Sequence, residues 1–163
     1  MAFGNMIVTQ QDHTRFMNLL ENLDRDTNAK FVFLLDKSGQ QIAAAGELDD
    51  VDPTSLASLT AGNVAATEGV AQLVGEDEFT TLFHEGKTES LHITVVANRV
   101  ILLVVFDARS SLGLVRLRVE KTAPELKTVV DEMMSRNHDA PPPGQELALG
   151  EITDADIDAL FGS

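Results

Sequence analysis

Apolar positions along this chain repeat at two periods, one of three to four residues and one of two, and the switches between them lay out the elements. Phe16, Leu19, Leu20 and Leu23 recur at helical spacing and predict a first helix from about Gln11 to Asp26. Thr9 and Asp12 stand in capping-box positions ahead of it, with Asp where Glu or Gln is usual. Residues 1–9 read as a poorly ordered extension whose Met6-Ile7-Val8 can pack on the body. The run Phe31-Val32-Phe33-Leu34-Leu35 predicts a central strand over Lys30 to Asp36, because only a strand buried on both faces is apolar at every position. Asp36-Lys37-Ser38-Gly39 supplies a turn, and Gln41 to Ala45 returns as a second strand.

From Pro53 to Gly75 the helical period resumes with two stripes. Leu56, Leu59, Asn63, Ala66, Val70 and Leu73 form a mostly apolar one, and Ser58, Gly62, Ala65 and Gly69 form one of small residues only. Two glycines in a helix interior each cost about 1 kcal/mol relative to Ala, so helix propensity does not explain them. Close approach of another surface does. Two readings remain open: a sheet of the same chain packs there, or the small stripe is a docking surface for a partner.

Beyond Gly75 the pattern becomes strand-like. Glu78 to His84 is a poorly alternating strand, Ser90 to Val96 a clearer one, and Val100 to Phe106 the most apolar in the chain, with Asn98-Arg99 as the turn before it. Residues 111–121 fit either period: Leu112, Val115 and Val119 suit a helix, while Val115, Leu117 and Val119 alternate with Arg116 and Arg118 as in a strand. Thr122-Ala123-Pro124-Glu125 reads locally as a helix start. Residues 137–150 contain Pro141-Pro142-Pro143-Gly144 and read as a linker. Residues 151–161 then form a short, well-capped helix. Thr153 is its N-cap, Asp154 and Asp156 lie in its first turn, Ile152 can staple onto Ile157, and Ile157, Leu160 and Phe161 share one side. So short a helix is marginal alone and needs a groove to order it.

The order helix, two strands, helix, three strands, helix predicts an α+β domain. Its profilin-like form is a five-stranded antiparallel sheet with helices on both faces. The expected divisions are an extension at 1–9, the domain at 10–136, the Pro-rich linker at 137–150 and the C-terminal amphipathic helix at 151–163.

Composition narrows the function. With 163 residues the chain has room for one cored domain, and no apolar run is long enough to predict a membrane span. No secretory leader is expected, and the absence of cysteine removes disulfides and thiolate metal sites. A cytoplasmic protein is expected. The formal charge of −14 divides unevenly, since all twelve Lys and Arg precede residue 137 and six acids follow it. The body therefore carries −8 and the tail −6. Such a surface repels phosphate backbones and anionic lipid, which argues against nucleic acid and membrane attachment and favours a basic protein surface as partner.

Catalytic and cofactor patterns fail one by one. His13, His84, His92 and His138 form no metal-ligand spacing, and no phosphate loop, dinucleotide fingerprint or nucleophile elbow occurs. Asp24-Arg25-Asp26-Thr27-Asn28 opens like a calcium loop, but Ala29 replaces the glycine and Leu35 the closing Glu. No catalytic residue, metal or cofactor is expected of the chain itself. Arg109, in the loop after the most apolar strand, is the best-placed candidate for an arginine finger lent to a partner.

The strings SLASLTAGNVAAT (55–67), FHEG (83–86) and SLGLVRLRVEK (111–121) together closely resemble the Roadblock-type regulators of small GTPases. Within them the chain is most similar to the bacterial branch that partners the Ras-like GTPase MglA. The likeness runs from about residue 10 to the C-terminus. It implies that 111–136 is one long helix, to be kinked or broken at Pro124. It also implies a homodimer formed through the central helix and an edge strand, and activation of an MglA-like GTPase without a donated finger, in the control of cell polarity and motility. The GTPase-binding positions expected are Ser58, Gly62, Ala65 and Gly69 on the central helix and Ile157, Leu160 and Phe161 on the tail. Nucleotide exchange promoted through the C-terminal helix and concentration at a cell pole stay open. The rival class is a scaffold dimer that localises or sequesters a GTPase without activating it, and a ligand-sensing module is disfavoured by the lack of a polar cluster.

Overall fold

A computed structural model describes residues 2–3 and 6–139. A short hairpin, β1 (Ala2–Phe3) with β2 (Met6–Ile7), leads into helix α1 (Gln10–Thr27). Strands β3 (Phe31–Asp36) and β4 (Gln41–Gly46) follow, then helix α2 (Pro53–Val74). Strands β5 (Thr81–Glu85), β6 (Ser90–Val96) and β7 (Val100–Phe106) precede helix α3 (Leu112–Asp139). The main sheet is antiparallel throughout, in the order β4-β3-β7-β6-β5. Helices cover both faces, so the expected α+β layering is what forms.

The strand period divides the core in two. Val32, Leu34, Leu102 and Val104 point to one face, where they meet Phe16, Leu20 and Leu23 of α1 and Val115, Leu126 and Met133 of α3. Phe31, Phe33, Leu35, Ile101 and Leu103 point to the other, where Ala57, Ala61 and Val64 of α2 cover them. The central strands β3 and β7 are buried at every residue.

Local chemistry fixes the ends. Thr9 and Asp12 form the capping box, and Asn28 ends α1 in the left-handed region at φ 57°. Asp36 Oδ1 accepts from Ser38 N–H at 2.9 Å, Ser38 Oγ at 2.6 Å and Gln40 N–H at 3.0 Å, which closes the β3–β4 turn. Gly46, at φ 103°, admits no side chain. A Cβ there would lie 2.6 Å from Lys30 O and 2.7 Å from the Phe31 Cα.

Met6 and Val8 are buried in the α1/α3 core, the packing on the body that their apolar character allows. Three boundaries differ from the sequence reading. The β6–β7 turn is centred on Ala97-Asn98, not Asn98-Arg99. Both residues have positive φ (55° and 54°), and Arg99 N–H bonds Val96 O at 3.1 Å, the mirror-image turn that suits strand twist. β5 begins at Thr81 rather than near Glu78.

α3 is one helix through Pro124 and continues to Asp139, beyond the expected start of the linker. Ser111 Oγ accepts Leu114 N–H at 3.2 Å at its start. Val115 and Val119 before the proline and Leu126, Val129, Val130 and Met133 after it form one buried stripe. Burying those side chains at about 1.5–3 kcal/mol each outweighs a proline cost of about 3 kcal/mol. Residues 140–163, with most of the linker and all of the expected tail helix, lie outside the described residues.

Candidate functional site

Helix α2 carries the positions singled out from the sequence, and it is strongly capped. Asp52 is the N-cap, with Oδ1 accepting Thr54 N–H at 3.2 Å and Oδ2 accepting Ser55 Oγ at 2.6 Å. The hydrogen bonds from Ser55 hold its carboxyl below the ordinary value. Pro53 sits at the first helical position, and Gly75 closes the helix at φ 83°.

The face α2 turns inward is not the three-and-four stripe of large residues. Ala57, Thr60, Ala61, Val64 and Ala71 are the buried positions, and Ala57, Ala61 and Val64 pack on the sheet's second core. Small side chains there let the helix axis lie close to the strands. Leu56 packs at the margin of that core, but the other larger apolar residues are left outside: Leu73 is 87% exposed, Leu59 74%, Val74 64% and Val70 52%. Their periodicity was real but its direction was outward, and the alanine spacing 57, 61, 64, 71 was the signal that pointed inward.

Ser58, Gly62, Ala65 and Gly69 are all exposed or half-exposed beside this apolar surface. A Cβ placed on Gly62 or Gly69 meets nothing within 4 Å, so the sheet of this chain is not what approaches them. Neither glycine has positive φ, so backbone geometry does not demand them either. Asn63 and His84, across from each other on α2 and β5, lie 3.4 Å apart (Nδ2 to Nε2). β5 is an edge of the sheet, with polar backbone groups on one side unpaired by any strand among the described residues.

Arg109 lies after β7, away from a free pose. Its Nε donates to both Asp107 carboxylate oxygens at 3.1 and 3.3 Å, and its NH1 reaches Glu47 at 3.4 Å. Its own carbonyl accepts from Asn28 Nδ2 at 3.0 Å. The Asp107 hydrogen bond, then Glu47, raises the guanidinium pKa further. To serve another protein, the side chain must leave two carboxylates of its own chain.

Chemistry elsewhere is structural. Among the described residues no group of three or more His, Asp or Glu could hold a metal. His92 is buried with Nδ1 3.3 Å from Thr94 Oγ1 and Nε2 unpartnered, and burial, then the Arg116 charge, pulls its pKa down. Asp12, also buried, is held by Arg136 and by the Thr9 backbone N–H. No helix among the described residues is long and apolar enough to cross a membrane. The tail positions Ile157, Leu160 and Phe161 lie outside the described residues.

A family model of the Roadblock/LC7 domain matches residues 16–106. Among solved structures the chain is similar to Myxococcus xanthus MglB, with 49% identity and a TM-score of 0.75, over 78% of this chain and 96% of that one. It is similar to the gliding protein MglB of Thermus thermophilus, with 28% identity and a TM-score of 0.74, over 80% and 99%. A structure described as MglB with tetrameric arrangement matches at 28% identity and a TM-score of 0.76, over 81% and 99%. No curated protein matches the chain.

Proposed function

The chain belongs to the Roadblock/LC7 family, and from that premise we propose that it is a homodimeric activator of an MglA-like small Ras-like GTPase. The observation that carries the reading is α2, whose outer surface joins exposed Leu59, Val70 and Leu73 to glycines with open space in front of them. An apolar face beside a flat one serves two contacts: the apolar part and the β5 edge pair two copies, and the small stripe lets the GTPase come close. Isologous pairing would place two small stripes side by side across the dimer axis. The same proposal includes a cell-polarity and motility role in the cytoplasm, a reading that the likeness to MglB supports.

Activation proceeds without a donated arginine. The bonds of Arg109 to Asp107 and Glu47 support this, because a finger must be free to enter the partner's site. The protein then acts by binding the GTPase in the conformation whose own catalytic groups are aligned, a shift limited by its differential affinity for that state. The tail helix, with Ile157, Leu160 and Phe161, supplies a second contact and bears on nucleotide exchange.

Multiple-turnover hydrolysis by a GTP-loaded MglA-like GTPase, with and without the purified chain, is the test. A stimulated rate is expected. Tight binding with an unchanged rate would make the protein a scaffold that localises or sequesters its partner.

A further inference from the structure

The net charge of the body is concentrated in one stretch. Between Lys37 and Lys87 the chain has nine Asp and Glu and no Lys or Arg, while the rest of residues 1–136 has eleven Asp and Glu against twelve Lys and Arg. Apart from Glu47 and Glu85, the nine lie on α2 or at its two ends. Asp49, Asp50 and Asp52 precede the helix, in a loop whose Leu48 and Val51 pack on the same core as Ala57 and Ala61. Glu76, Asp77 and Glu78 follow it. Glu68, within the helix, is answered by Lys37, but the six at the ends have no ion-pair partner among the described residues. Lys30 lies close enough to feel Asp50, yet its own partner is Glu89. A helix C-terminus favours cations, and α2 has no basic residue in its last turn and three acids just beyond it, so helix stability does not account for them. Between the two flanks stand the exposed Leu59, Val70 and Leu73.

We propose that the acidic flanks steer a protein with an apolar centre and a basic rim onto α2; the inference rests on the reading above, in which that protein is the GTPase. Other occupants answer the flanks less well. A second copy can cover the apolar centre, but it brings the same carboxylates to the same face. Nucleic acid and anionic lipid are repelled. The carboxylates do not converge on a cation either, since no group of three or more His, Cys, Asp or Glu among the described residues could hold a metal. The flanks therefore call for cations on a protein surface, spaced to reach both ends of a helix about 33 Å long at 1.5 Å per residue. Charges at the rim of a contact act mainly on encounter. Attraction of this kind raises association rates by roughly 10- to 1000-fold and changes dissociation much less. Because the rest of the body is near neutral, the approach is aimed at α2 as well as accelerated.

The test is the association rate of a GTP-loaded MglA-like GTPase with the full chain, read by stopped flow from about 10 to about 150 mM salt, over which the Debye length shrinks from about 30 Å to about 8 Å. The rate should fall by about tenfold or more, with dissociation changed by less than about threefold. Glu76→Gln/Asp77→Asn/Glu78→Gln should lower the low-salt association rate by about fivefold and flatten its salt dependence, with no fall in the unfolding midpoint. Glu21→Gln/Glu120→Gln/Glu125→Gln removes the same charge from exposed positions on α1 and α3 and should leave the rate within about twofold. Equal losses in the two triple variants would show that net charge acts and not the α2 flanks, and would overturn the proposal. So would faster association of the first variant. Binding whose rate ignores salt overturns this inference alone, whereas no binding by the unmodified chain overturns the GTPase reading and this inference with it.

Discussion

The two faces of the sheet are built on opposite plans. On one, α1 and α3 bury Phe16, Leu20, Leu23, Leu126 and Met133 and are tied by the Arg15–Glu132 and Asp12–Arg136 ion pairs. On the other, a single helix rich in alanine, glycine and threonine lies on the strands and turns Leu59, Val70 and Leu73 to the outside. The first face satisfies its apolar surface within the chain. The second leaves part of its own unsatisfied, although the strands beneath it are as apolar. On the proposed reading, the outer surface of α2 meets other molecules while α1 and α3 serve the fold, so changes to that outer surface should leave stability largely untouched.

That division is open to direct attack, and the largest effect belongs to the packed face. Leu20→Ala should cost about 3–5 kcal/mol in denaturant unfolding, and Leu73→Ala less than about 0.5 kcal/mol in a dilute sample. A cost for Leu73→Ala that grows with protein concentration would show α2 covered by a second copy and sharpen the contrast, since association then adds to apparent stability. Next in size is the double variant Ala65→Arg/Gly69→Arg. It should weaken binding to a GTP-loaded partner by roughly thirtyfold or more, the effect of losing an interface centre, while the unfolding midpoint does not fall. Undiminished affinity in a folded variant would remove this face as the GTPase site.

Asp12→Ala should destabilise the packed face by about 2 kcal/mol at neutral pH, since it removes a buried carboxylate that caps α1 and holds Arg136. Burial alone would raise that carboxyl, but the hydrogen bonds from Thr9 and Arg136 outweigh it and hold the pKa below 3.8. A depressed carboxyl contributes its stability in full above the unfolded value and loses it as pH falls through the folded one. The gap between wild type and variant should be flat from neutral pH down to about 4 and close below that, as followed by unfolding at a series of pH values. Arg109, at the end of β7 and on neither face, should matter less: Arg109→Ala should reduce stimulated hydrolysis by less than about tenfold, against roughly 10³ or more for a true finger. A thousandfold loss with intact binding would reverse the mechanism.

The smallest effect has the opposite sign. Gly69→Ala should stabilise the domain by about 0.5–1 kcal/mol, because a helical glycine becomes alanine in open space. If the same change also weakens GTPase binding, the glycine serves the contact at the expense of the helix.

Much of this was legible in the sequence where signals are short-range. The capping box at Thr9 and Asp12, the Asp52-Pro53 start, the Gly75 stop and the apolar runs of β3 and β7 depend only on neighbours in the chain. The small stripe of α2 was visible as a pattern too, as was its conflict with helix propensity. What the pattern could not carry was direction. Leu59, Val70 and Leu73 repeat at helical spacing whichever way they point, and larger side chains invite assignment to the core. The choice went to Ala57, Ala61 and Val64 because a helix lying close on a flat sheet gains more from small side chains than from large ones held at a distance.

Residues by themselves thus determined most of the helices and strands, 111–121 and the N-terminal hairpin excepted, where most of them stop, and which family they belong to, since those rest on local hydrogen bonding and on strings that are contiguous. Tertiary structure alone decided the rest. It carried α3 through Pro124 without a break, because buried side chains on both sides of the proline share one core. It placed Arg109 against Glu47, a residue far away in the chain. It also left the glycines of α2 facing open space, because which side of a helix is covered depends on what packs over it and not on the helix itself.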